Sequence, residues 1–87
     1  MKPTATQIEP LVLELIYRLG IDRIEATNRV NRIFEYSPEI EKITQNPTER
    51  MVFIDMISTT PSDVPVDISL TGLFNYIKHI CACYVIT

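Results

Sequence analysis

The stretch DISLTGLFNYIKHICACYVIT, from Asp67 to Thr87, decides how the chain is read. At 100° per residue, Leu70, Leu73, Phe74, Ile77, Ile80, Cys81, Tyr84 and Val85 form one apolar stripe over four turns. Thr71, Gly72, Asn75, His79 and Ala82 occupy the opposite side and are mostly small or polar. Asp67 is placed to cap such a helix. The last residues, from about Ile80 to Thr87, also suit a strand, on which His79, Cys81 and Cys83 would share a face. On a helix, residues two apart point about 200° apart, so the three diverge. A membrane span is disfavoured by Asp67, Asn75, Lys78 and His79, since a mid-span charge costs roughly 2.5–3.5 kcal/mol.

Working outward, proline and glycine cut the rest into further helical pieces. About Thr6 to Leu19 carries Ile8, Leu11, Val12, Leu15, Ile16 and Leu19 at steps of three and four. Thr6 and Glu9 have capping-box spacing, Pro10 falls in the expected first turn, and Gly20 suits a left-handed C-cap. About Arg23 to Tyr36 is a second helix capped by Asp22, with Glu25, Asn28, Arg29, Arg32, Glu35 and Tyr36 on its outer side. Ser37 followed by Pro38 reads as the start of a short third helix, to about Gln45. Asn46 and Pro47 start a fourth, in which Met51, Val52, Phe53, Ile54, Met56 and Ile57 surround the axis. Residues 58–66, with two prolines, form the longest loop.

The sequence therefore predicts an all-α fold, a compact bundle of four to five short helices with the C-terminal helix central. Its 87 residues suffice for a single domain, 1–87. With 8 basic and 11 acidic residues the net charge is −3, which repels a phosphate backbone on average. The N-terminal residues, including Lys2, Pro3 and Thr4, show no export signal, so Cys81 and Cys83 are expected as reduced thiols in the cytoplasm.

No residue pattern points to catalysis or to a cofactor. His79, Cys81 and Cys83 lack the second ligand pair that zinc sites use, so no metal is expected. A Cys–His pair needs an orienting group and an oxyanion site, and no motif supplies them. Glu35, Glu39 and Glu41 read as a solvated acidic face rather than an acid–base pair. The expected role is non-catalytic protein–protein contact: an accessory subunit, an adaptor, or a small inhibitor or immunity-type protein, with a homodimer as one form of it. The expected contacts are Gly72, Asn75, His79 and Ala82 for close helix packing, and Glu35, Glu39 and Glu41 for a basic partner. The alternative is DNA binding. The first two helices resemble a helix-turn-helix in outline, with Asn28, Arg29 and Arg32 as readers. Glu25 and Glu35 oppose it, because they pair with those arginines at helical spacing.

Overall fold

In a computed structural model, the backbone is described for residues 4–85 and the side chains for residues 4–82. The described residues form four helices and no strand: α1 (Ala5–Leu19), α2 (Arg23–Ile43), α3 (Pro47–Thr59) and α4 (Leu70–Val85). The helices pack in chain order, α1 on α2, α2 on α3 and α3 on α4.

The apolar stripes sort into two clusters. Val12 and Leu15 of α1 close on Ala26 and Val30 of α2, with Ile8, Ile16, Leu19, Ile21 and Phe34 around them. Ile40 of α2, Phe53, Met56 and Ile57 of α3 and Leu73 of α4 form the other, flanked by Ile33, Tyr36, Ile43, Val66, Ile68, Tyr76 and Ile77. The helix common to both clusters is α2, whereas α4, the expected centre, contributes to one of them. Phe53, Ile57 and Leu73 are fully buried, and each such side chain contributes roughly 1.5–3 kcal/mol on removal from water.

Two expected helices are one. The chain runs through Ser37 and Pro38 without a break, so the predicted second and third helices are a single 21-residue α2. Proline at 38 removes one helix bond and crowds the preceding turn, at about 3 kcal/mol. Ile33, Tyr36, Ile40 and Ile43 recur at steps of three, four and three, and all pack on the second cluster. Their shared burial keeps the helix continuous across the gap.

The caps are partly shifted. Thr4, not Thr6, caps α1: Gln7 N–H donates to Thr4 Oγ1 at 3.3 Å and Thr4 N–H donates to Gln7 Oε1 at 2.9 Å. The Thr4–Gln7 box starts the helix two residues earlier than expected, and Glu9, now inside it, pairs with Arg23, whose Nη1 lies 2.7 Å from its carboxylate. Pro10 consequently lies inside the helix, beyond its first turn. Gly20 ends α1 at φ 67°, a left-handed backbone that favours glycine. Asp22 and Asn46 cap α2 and α3 as the sequence suggests. At α4 the cap is Ser69 instead of Asp67: Gly72 N–H donates to Ser69 Oγ at 3.0 Å, and Ser69 Oγ donates to Asp67 Oδ1 at 2.7 Å.

The terminal stretch is helical through Val85, so the strand alternative does not hold for Ile80 to Val85; residues 86 and 87 lie outside the described residues. The stripe faces the core only in part. Leu73 is buried and Ile77 and Ile80 half-buried, while Leu70, Phe74 and Cys81 are exposed; Tyr76, outside the predicted stripe, is half-buried as well. Cys81, expected in the core, is on the surface. The physical reason is that α4 rests on α3 along one narrow side, so one flank of a broad stripe is left uncovered.

Candidate functional site

The outer side of α2 shapes the most structured polar region. Arg29 is 7% exposed; its Nε donates to Glu25 Oε2 at 2.7 Å and its Nη1 donates to Ser58 O at 2.9 Å. Arg32, one turn on, donates to the carbonyls of Ile57, Thr60, Pro61, Ser62 and Val64. Arg32 Nε is buried without a partner among the described residues. The Glu25 carboxylate completes the clamp by accepting from Ser62 N–H at 2.8 Å and from the Ser62 hydroxyl. Those Ser62 bonds, then Arg29, pull the Glu25 pKa from 4.5 to about 2. Burial lowers the pKa of Arg32, the expected effect of taking a cation out of water.

This network explains the segment between α3 and α4. Residues 60–69 have no regular structure, yet their first half is tied to α2 by Arg32 and the Glu25 carboxylate, while Arg29 bonds Ser58 O in the last turn of α3. A planar guanidinium with five donors suits a cluster of loop carbonyls better than an ammonium. Carbonyls at the C-terminal turn of α3 carry partial negative charge, which favours cations there.

The clamp holds one wall of a cleft of about 650 Å³ between α3 and α4. Asp55 and Thr59 line it from α3, Thr60 and Pro61 from the loop, and Tyr76, His79 and Ile80 from α4. The Tyr76 hydroxyl donates to Asp55 Oδ2 at 2.6 Å, and Thr59 Oγ1 lies 3.2 Å from it. Burial first, then the bond to Asp55, raises the Tyr76 pKa. Arg18 of α1 approaches the other carboxylate oxygen, with Nη2 3.6 Å from Asp55 Oδ1. That is beyond hydrogen-bond distance, and both side chains are about half exposed.

The sequence-predicted residues fall in separate places. Asn75, His79 and Ala82 are exposed on α4, and His79 enters the cleft. Gly72 is buried: a Cβ there would stand 2.1 Å from Asp67 O, so the chain's own backbone fills the space beside it. Glu35, Glu39 and Glu41 are all exposed on α2; Glu35 and Glu39 are one turn apart on one flank, and Glu41 points about 160° away from Glu39. Of the proposed DNA readers, Asn28 is on the surface, while Arg29 and Arg32 donate to the chain's own carbonyls.

Compared with known proteins, the chain matches no family model, and neither a curated protein nor a solved structure is significantly similar to it.

Among the described residues no three His, Cys, Asp or Glu are grouped to hold a metal ion; the side chain of Cys83 lies outside them. No described helix is long and apolar enough to cross a membrane. Asp55, Thr59 and Tyr76 were not singled out in the sequence. One signal was present: Asp55 is the lone acid inside the apolar run Met51 to Ile57.

Proposed function

We propose that this domain works without catalysis, by protein–protein contact through the uncovered side of α4, as an accessory, adaptor or inhibitor-type protein of the cytoplasm. The observation that supports this reading is the exposure of Leu70 and Phe74, 44% and 50%, one turn apart on a helix packed along one side. Covering the open half of a Phe and a Leu is worth roughly 1–3 kcal/mol, enough to anchor a small contact. Lys78 and Thr71 border this flank, and the expected contacts Asn75 and Ala82 lie beyond them on the exposed side of α4. The Glu35 and Glu39 flank is a second, charged surface that steers a basic partner.

Sedimentation velocity across a concentration series, on wild type and Phe74→Glu, tests self-contact; capture of partners from cell extract with the same pair tests contact with another protein. The expected result is a complex in one of the two that Phe74→Glu removes without lowering thermal stability. A species fixed at 10.0 kDa throughout, with identical captured proteins for both variants, overturns the proposal.

A further inference from the structure

We propose that the cleft between α3 and α4 binds an organic cation, a primary ammonium or guanidinium on a short aliphatic stem, seated on Asp55. The inference is independent of the α4 contact surface. A volume of about 650 Å³ is in the range of small-ligand sites. Of its lining residues, Asp55 carries the negative charge, and it is half satisfied. Oδ2 accepts the Tyr76 hydroxyl, while Oδ1 has Arg18 at 3.6 Å and so keeps room for a donor at hydrogen-bond distance. Arg18 is itself divided, lying 3.9 Å from Glu14, and a pair this exposed contributes little. Ile80 and Pro61 supply apolar surface for a stem, and Thr59, Thr60 and Tyr76 supply hydroxyl acceptors for further N–H groups.

The cleft also sits at the C-terminal turn of α3. That turn already receives two guanidinium groups from the chain itself, Arg29 on Ser58 O and Arg32 on Ile57 O and Thr60 O. Those two groups already compensate the partial negative charge of that helix end, so the attraction for a cation in the cleft comes from Asp55. An anion in the cleft would meet Asp55 first. The charged and titratable groups facing Asp55 are Arg18 from α1 and Tyr76 and His79 from α4, and of these Arg18 is the internal competitor for the site.

The test is an amide NMR titration of the full chain at pH 8 with n-butylammonium chloride, with sodium chloride and n-pentanol as controls. Saturable shifts are expected at Asp55, Thr59, Thr60, Tyr76 and His79, with a Kd of about 1–10 mM, the range a ligand of this size reaches. Asp55→Asn should abolish them. Arg18→Gln should tighten binding by about two- to fivefold, the loss of a weak exposed competitor. A capped lysine peptide run in parallel identifies the source: tighter binding than butylammonium marks a protein side chain as the ligand, and weaker binding marks a free amine. An equal response to n-pentanol, no saturation, or unchanged affinity in folded Asp55→Asn overturns the proposal. Should Asp55→Asn not fold, an Arg18→Gln protein that binds no tighter than wild type overturns it.

Discussion

Replacing Arg32 by alanine removes five donor contacts at once, and the size of the loss is informative. The guanidinium reaches Val64 O at 2.8 Å, Pro61 O at 3.1 Å and Ile57 O at 3.2 Å, with Thr60 O and Ser62 O besides. Hydrogen bonds to a charged group are worth roughly 1.5–3 kcal/mol each. Five taken separately would sum to roughly 7.5–15 kcal/mol, as much as the whole stability of a domain this size, roughly 4–13 kcal/mol, so they do not add. Thr60 and Ser62 are half-buried and Pro61 and Val64 exposed, so water replaces the lost donor at most of these carbonyls. Buried Ile57 is the one whose carbonyl stands to be left unsatisfied, at about 1–3 kcal/mol. With the lost ordering of the loop, the expected cost is about 2–4 kcal/mol. For a chain of this length, each kcal/mol is about 4–8 °C in Tm. Thermal unfolding followed by circular dichroism should therefore show Arg32→Ala melting about 10–25 °C below wild type, with Arg32→Lys recovering only part because an ammonium lacks the fork. A drop of less than about 4 °C would refute the clamp, since that is the range of an ordinary surface substitution.

Two further outcomes follow from the same contacts. Glu25 has its pKa depressed, so its contribution is present above pH 4.5 and is lost as pH falls through about 2. The full shift corresponds to roughly 3 kcal/mol, and solvent access to the site brings it nearer 1–2. Urea titrations from pH 6 to pH 2 should show that loss in wild type and a flatter profile in Glu25→Gln; identical slopes would contradict it. Gly72→Ala forces its methyl against Asp67 O, 2.1 Å from the ideal Cβ position. It should cost about 1–3 kcal/mol and shift the amide signals of Asp67 to Ser69, and a neutral substitution would show that the loop gives way freely.

Helix identity was legible wherever a side-chain cap and an apolar stripe agreed. Asp22, Asn46 and Gly20 each marked a real boundary because the cap atoms involved are local to the chain. The start of α1 was missed for a local reason, because Thr4 and Gln7 offer the same capping-box spacing two residues earlier. The boundary at Ser37 failed where distant partners intervened, since the second core carries α2 through Pro38. The candidate site was less legible for the same reason. Arg29 and Arg32 sit on the polar side of α2 by periodicity, and a polar side ordinarily faces water; here carbonyls of the last turn of α3 and of the following loop lie over it. The pairing of Glu25 with Arg29 was visible in the i,i+4 spacing, but its bonds to Ser62, 37 positions away, were not. Asp55 meets Tyr76 across 21 positions, a contact that no local pattern encodes.

The arrangement as a whole requires the segment after α3 to be held on α2, since that segment walls the cleft and leads into α4. Amide hydrogen exchange at Ser62 reports this directly. Its N–H, within an irregular loop, should exchange roughly 10- to 100-fold more slowly than in an unstructured peptide while the Glu25 carboxylate accepts it, and lose that protection in Glu25→Ala. Exchange at the unstructured rate in the native protein, unaltered by Glu25→Ala, would mean that α2 does not hold the loop.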